Sequence, residues 1–423
     1  MVLISLSSSN PKFSFIIRKN PANGMIMTKL RQGFSFGWYA TPSQYCIYFS
    51  DNGMSYKEHK NTDFEYLNSK RYSSPVCVMN LSSEYLKDPL IKLSEDDSEG
   101  FEHSCKLSFI ESTDDIVRRF ETIIAGIKCS SEKLHTLTEK RACYAITIST
   151  QKSLNYLLML VNLFCLFSTL MIHEHFEISD NLIEKYVHMI AKTDLPFYFR
   201  YKFSVFILTS PHVFSKYQTE LEKSATATFK LAFGDTGTQR KNGLDKLLSF
   251  KYPIVDIGCG EGNYGIPFAK KLGSLSYSGI DCDPSQIKKI VRRAKEKRVT
   301  NLNTYLSLDE YLTKANNSKI DVILSEVIEH ISVEEAEVLI KQVLDRIDFN
   351  SFIITTPDRD FNKHYSLGNN LRISDHKWEM TGAEFSIWIE KIVGNRFKLT
   401  PLQIGHAING VYSTQGVLII PTN

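Results

Sequence analysis

The sequence predicts an α/β protein in which a C-terminal doubly wound sheet follows a separate N-terminal α+β half. Three observations lead there. Short apolar runs at 253–257, 276–281, 319–325 and 351–355 alternate with charged segments at helical spacing, the pattern of a parallel sheet with crossover helices. A glycine-rich turn, Gly258-Cys259-Gly260-Glu261-Gly262, joins the first run to a helix starting near Tyr264. Upstream of a small, polar stretch at 224–237 the pattern changes to strand-like alternation followed by helical spacing. That stretch marks the boundary, giving domains 1–223 and 224–423.

Composition narrows the classes. At 423 residues the chain is long enough for two or three cores. With 43% apolar and 23% charged residues it has the make-up of a globular protein, not a disordered one. A formal net charge of +3 is too small to argue for nucleic acid by itself. The eight cysteines are scattered without a CxxC pair, which fits a reducing cytoplasm better than a disulfide scaffold or a zinc ribbon. Met1-Val2-Leu3-Ile4-Ser5-Leu6 has no basic flank and does not read as a secretory signal.

In chain order, Phe34-Ser35-Phe36-Gly37-Trp38-Tyr39 alternates, and Tyr45-Cys46-Ile47-Tyr48-Phe49 reads as a half-buried strand closed by the turn signal Asp51-Asn52-Gly53. Residues 93–100 form an acidic loop. Thr113-Asp114-Asp115 caps a helix carrying Ile116, Val117 and Phe120. Residues 131–223 run mostly at helical spacing. Within them, 154–172 is almost wholly apolar and about the length of a bilayer span. Asn155 and Asn162 are costly in lipid and satisfiable in a packed core, so a core helix is expected and no membrane. His173-Glu174-His175 is discounted as a metal pair, because residues i and i+2 do not face each other on a helix.

The glycine turn has the spacing GxGxG, not the GxGxxG of a dinucleotide fingerprint. Glycines permit positive φ and close backbone approach to a ligand. Asp281, nineteen residues past Gly262 at the end of the next strand, is placed to accept hydrogen bonds from a ribose diol. A pyrophosphate sits poorly beside Asp256 and Glu261, whereas a cationic sulfonium does not, so S-adenosylmethionine is the expected ligand. A tight structural turn is the plainer alternative. Loop, spacing and acid together resemble the class I methyltransferases. That resemblance implies a Rossmann-like domain with Asp256, Gly258, Gly260, Gly262, Asp281 and Ser307 on the cofactor side. Cys259 reads as a small packed residue.

After the run Ile320-Asp321-Val322-Ile323-Leu324 comes Ser325-Glu326-Val327-Ile328-Glu329-His330, two carboxylates and an imidazole at i, i+3 and i+4. On a helical turn these share one face, at the strand end where open α/β sheets bind ligands. Oxygen with imidazole donors suits Mg²⁺ or Mn²⁺, tilted towards Mn²⁺ by the nitrogens. Acids in a first helical turn are equally explained by the helix dipole.

The downstream residues Thr355-Thr356-Pro357-Asp358 and Asp375-His376-Lys377-Trp378-Glu379-Met380, with the Ser325–His330 hexapeptide, resemble the 3′-terminal RNA ribose 2′-O-methyltransferases of small-RNA modification and bacterial RNA repair. Carried over by position, the metal ligands are Glu326, Glu329, His330 and His376. His330, Glu329 and His376 are the catalytic candidates, and His330 is the first choice for taking the proton. A second histidine common before the last ligand is replaced here by Ile373-Ser374, leaving that helper in doubt. In the N-terminal half, Phe15-Ile16-Ile17-Arg18-Lys19-Asn20-Pro21 resembles the bacterial branch's opening strand and turn, and residues 66–74 resemble a later loop. The resemblance implies an RNA 3′ end as substrate, and an RNA ligase and a polynucleotide kinase-phosphatase as partners. It also implies a protein-binding, ligase-activating role for residues 1–223. A small-molecule diol O-methyltransferase and a ligase-activating scaffold are the rival readings. Arg372, Lys377 and His364 are candidates for holding RNA, while the cations between Lys288 and Arg298 read as a solvated helix face.

Overall fold

The strand-like alternation near the N-terminus builds an antiparallel sheet in the computed structural model, which describes residues 2–31, 33–51, 73–314, 318–365 and 370–422. Contacts divide the chain into two units, Met1–Lys223 and Ser224–Asn423. In the first, the strands are β1 (Val2–Ser8), β2 (Ile26–Leu30), β3 (Gly33–Thr41), β4 (Gln44–Asp51), β5 (His103–Ser112), β6 (Lys128–Thr138) and β7 (Arg141–Thr150). They lie in the order β2-β3-β4-β1-β5-β7-β6. Asn52, Gly53 and 66–72, singled out above, lie outside the described residues.

Two expectations fail here. Residues 131–150 belong to the β6–β7 hairpin, not to helices. The β6 edge is exposed along almost its whole length, so it carries no apolar alternation to read. The segment expected as an opening strand is instead a short helix, Phe13–Ile16, followed by a turn at Pro21–Asn23, and the opening strand is β1.

The apolar segment forms the helix Leu154–Met171, buried over 89% of its length and packed as the core of its unit. The Asn155 side-chain amide donates to the carbonyls of Pro89 and Leu90, and that of Asn162 to Leu158. Both amide groups thus find acceptors inside the protein, while Asn162 Oδ1 stays buried without a partner. Thr113 caps the helix Asp114–Thr122 as expected.

The second unit contains β8 (Phe229–Lys230), β9 (Ile254–Ile257), β10 (Tyr277–Ile280), β11 (Leu302–Tyr305), β12 (Ile320–Ser325), β13 (Phe349–Pro357), β14 (Phe397–Ile408) and β15 (Val411–Pro421). Their order is β11-β10-β9-β12-β13-β15-β14-β8. The first five are parallel, and an antiparallel hairpin closes the edge. All four expected strands are present. The parallel strands are apolar on both faces: Val322, Leu324 and Ile354 pack towards Ile340 and Phe385, and Ile254, Ile323 and Ile353 towards Phe268 and Leu244. The hairpin escaped the sequence reading because β15 buries Ser413, Thr414 and Gln415 amid its apolar residues. Strand order reverses at β9 and β12, whose carboxyl ends therefore flank a crevice.

One buried cation ties the end of the first unit together. Arg200 is wholly buried, and its guanidinium donates to the carbonyls of Leu195 (2.6 Å), Leu221 (2.6 Å) and Lys223 (2.8 Å) and to Asp194 (2.8 Å). Arg200→Met should destabilise the N-terminal unit by about 3 kcal/mol or more, since three carbonyls lose their donor. Urea unfolding followed by circular dichroism measures this, and an unchanged midpoint contradicts it.

Candidate metal and cofactor centre

The turn after β9 is fixed by close packing. Gly258 has φ 78°, and a Cβ there would lie 2.2 Å from Val327 Cγ2. The glycine turn and the loop after β12 therefore pack directly against each other. Gly260 (φ 52°) instead faces open space, and its N–H donates to Asp281 Oδ2 at 2.8 Å. Asp281 Oδ1 accepts from Asp283 N–H at 2.9 Å, so this acid braces the loop as well as ending β10.

The other cofactor-side candidates occupy different depths. Asp256 is buried within β9, where it accepts from the Tyr277 hydroxyl, and burial pushes its carboxyl up to about 7. It supports the loop from beneath. Ser307 Oγ accepts from Glu310 N–H (3.1 Å) at the start of the helix Leu308–Lys314, beyond β11. Cys259 is packed where a Cβ on Gly279 would meet its sulfur, and burial pushes its thiol up, as suits a filler.

The loop after β12 departs from the expected helical turn. Glu326 N–H still bonds to Thr355 O (2.9 Å), as in the strand, and Glu326 then takes φ 57°. Only Ile328–His330 coil, as a single 3-10 turn. The true helix, Val333–Arg346, starts later at a Ser332–Glu335 capping box. Glu326, Glu329 and His330 are thus not on one helical face. A left-handed non-glycine residue at a strand end is a strained conformation of the kind found at ligand sites.

Glu329, His330 and His376 come together, with one ligand atom from each within 4.8 Å of the others. The two imidazoles are edge to face, 4.8 Å between centroids. Glu329 is fully buried; its Oε2 accepts from Thr356 Oγ1 (3.1 Å), and its Oε1 has no hydrogen-bond partner. Burial first, and then the Glu326 carboxylate, push the Glu329 carboxyl well above its usual range. His376 Nδ1 lies 2.6 Å from Glu379 Oε1. An N–H donated there leaves Nε2 with its lone pair free. His330 Nδ1 lies 3.3 Å from Asp375 Oδ2. Glu326 is outside the trio: Arg240 Nη1 stands 3.2 Å from its Oε2, and Thr355 Oγ1 donates to its Oε1 at 3.3 Å.

This donor set fits a divalent cation. It offers an orphaned carboxylate oxygen and two imidazoles, one of them oriented by a buried acid. Among the described residues no other group meets the same geometry, and His173 and His175 form none. Sequence reasoning missed Arg240, Thr356 as a partner of Glu329, and Glu379 as the brace of His376. Only Glu379 carried a signal, three residues after His376. Of the RNA candidates, Arg372 is committed elsewhere, donating to Ser413 O (2.7 Å), Asp358 O (3.0 Å) and Asn362 Oδ1 (3.1 Å).

A carboxyl whose folded-state pKa is raised costs stability at pH values above its ordinary range. Without added metal, Glu329→Gln should therefore raise the unfolding midpoint of the C-terminal unit at pH 8. The same variant should lose the midpoint rise that Mn²⁺ gives the parent chain. Calorimetry with and without Mn²⁺ measures both, and an equal Mn²⁺ response in the two proteins contradicts the assignment.

Comparison with known proteins places the two units. The model of the Hen1 N-terminal domain matches residues 3–226, and a methyltransferase domain model matches 254–347. A small RNA 2′-O-methyltransferase of Tetrahymena thermophila is 35% identical over 77 residues, 18% of each chain. One of Schizosaccharomyces pombe is 26% identical over 180 residues, 36% of this chain and 48% of its own. The matched stretches thus span less than half the length of these relatives. A chain in the structure of the Pnkp1/Rnl/Hen1 RNA repair complex shares the fold over 99% of this chain and 100% of its own, with TM-score 0.80 at 24% identity. With the first of these models covering more than half of its length, the chain belongs to the Hen1 family.

Proposed function

We propose that this protein methylates the 2′-hydroxyl of the 3′-terminal ribose of RNA, using S-adenosylmethionine and a divalent cation, Mn²⁺ or Mg²⁺. The observation that carries the reading is the orphaned Glu329 oxygen facing two imidazoles beside a GxGxG turn. The names of the matched relatives and the methyltransferase domain support it. The likeness to a chain of an RNA repair complex supports a place beside an RNA ligase and a polynucleotide kinase-phosphatase. The N-terminal unit is then the partner-binding and ligase-activating part.

In the reaction, the S–CH₃ bond breaks as the ribose O2′–CH₃ bond forms, and the hydroxyl proton leaves. Gly260 faces open space and allows the donor to lie against the backbone at the strand end, Gly258 and Gly262 shape the turn by packing on Val327 and Ile290, and Asp281 and Ser307 border the donor's ribose side, with Asp256 supporting the turn. Glu326, Glu329, His330 and His376 would hold the cation, which lowers the pKa of a coordinated hydroxyl when bound. In this structure Glu326 is paired with Arg240 and stands outside the trio, so its part in holding the cation would require it to exchange that partner. Close packing of Gly258 on Val327 fixes donor and acceptor loops to each other, which supplies orientation. His330 is partly exposed and next to Asp375; in the role of base it takes the proton in place of ligating the cation, and passes it to solvent.

Labelled methyl transfer tests this. RNA ending in 2′,3′-hydroxyls should accept methyl with Mn²⁺ and lose that ability with chelator, while 3′-phosphate and 3′-deoxy ends should not react. No transfer with metal and donor present would overturn the reading, and equal transfer to a catechol would favour a small-molecule enzyme. His330→Gln should lower turnover about 10²-fold or more; unchanged turnover with Mn²⁺ retained removes it as the base. Glu379→Ala should weaken Mn²⁺ binding about 10–100-fold, measured by electron paramagnetic resonance titration, because His376 loses its brace.

A further inference from the structure

A second cavity of about 460 Å³ opens in the C-terminal unit between the helix Gly382–Val393 and the β14–β15 hairpin. Its walls are apolar, with Phe385, Ile389 and Val417 among them, and they carry the carboxylates of Asp358, Asp360 and Glu390. Among the described residues no lysine, arginine or histidine lines it. Of the cations around it, Arg372 is engaged with main-chain carbonyls and Arg359 with Glu384, while the Lys363 ammonium acts on Asp358 only through its charge.

The feature that turns an acidic hollow into a site is Gln415. It is 6% exposed, and its Nε2 donates to the carbonyls of Pro357 (3.2 Å) and Met380 (2.7 Å). Two carbonyl acceptors settle which end of the amide is nitrogen, since the flipped amide would set oxygen against oxygen. Its Oε1 is consequently the outward end, and it is buried without a partner. Beside it stands Asp358, whose Oδ1 accepts from Asp360 N–H (2.9 Å) while Oδ2 turns to the same spot. That spot is Gly382: a Cβ there would lie 3.6 Å from Asp358 Oδ2 and 3.7 Å from Gln415 Oε1. Asp358 Oδ2 and the unpartnered Gln415 Oε1 thus both lie beside the position where this helix has no side chain.

We propose that this cavity binds an aliphatic amine, a diamine or polyamine whose ammonium is received by Asp358 and Gln415. Buried acceptors without donors call for a ligand rich in N–H, the three carboxylates call for positive charge, and the apolar walls suit a methylene stem. A neutral alcohol of the same length lacks the charge, and an anion is repelled.

Isothermal titration of the full chain, saturated with Mn²⁺ to occupy the other carboxylates, tests this with 1,5-diaminopentane and spermidine against 1,5-pentanediol. Both amines should bind and the diol should not. Gly382→Ala places a methyl between the acceptors at ordinary contact distance without altering charge. It should weaken amine binding at least tenfold while leaving the unfolding midpoint unchanged or higher, because alanine suits a helix better than glycine. Gln415→Met should also weaken binding tenfold. Absence of amine binding, equal binding of the diol, or unchanged affinity in Gly382→Ala would each overturn the proposal.

Discussion

A carboxylate buried without a counter-ion is the constraint around which the C-terminal unit is organised. Moving such a group out of water costs several kcal/mol unless charge or hydrogen bonds replace the lost solvation. Glu329 receives one hydroxyl from Thr356 and nothing on its other oxygen. The fold sets His330 and His376 beside it and Glu326 close enough to raise it further, an arrangement that fits positive charge at the centre. In this state Arg240 supplies some of that charge, but it does so through Glu326 and leaves the orphaned oxygen unmet. The site is therefore preorganised at the expense of stability, as expected where binding affinity is needed.

What holds that arrangement is the parallel sheet. The loop carrying Glu329 follows β12 and Thr356 lies in β13, so two neighbouring strand ends deliver the carboxylate and its hydroxyl partner together. Gly258 follows β9 on the other side of β12, and its missing side chain admits Val327. The donor and metal loops thus share one contact, and a bulkier residue at 258 would push both. Trp378 Nε1 donates to Ile331 O (2.8 Å) and Lys377 N–H to Glu329 O (2.7 Å), fastening the His376 segment to the same loop.

The parts of this design that were legible in the sequence are those with a local period or spacing. Four of the five parallel strands show as short, mainly apolar runs because both faces are covered. The GxGxG turn and Asp281 show because spacing along the chain follows from one strand–turn–helix unit. The helix at 154–171 shows as well, and its asparagines decide between core and membrane. Elements whose side chains do not alternate, such as the exposed β6 and the polar-cored β15, give no such signal. Arg240 meets Glu326 across 86 residues of chain through tertiary packing alone, which a single sequence does not encode locally. The supposed helical face of Glu326, Glu329 and His330 failed for a related reason. Parallel pairing with β13 keeps Glu326 in the strand, and local helical spacing cannot foresee a hydrogen bond to Thr355.

Arg372 shows how far sequence position can mislead about role. It lies four residues before His376, and an exposed arginine there would suit a phosphate. Its side chain instead bridges Ser413 on β15, the carbonyl of Asp358 and the side chain of Asn362. Its own N–H and the Asn362 amide both reach Glu379, the acid that orients His376. A guanidinium with this many acceptors is fixed in place and has few donors left for a ligand. Arg372 therefore acts on His376 through Glu379, carrying the rigidity of the antiparallel hairpin into an imidazole that the parallel strands alone do not reach.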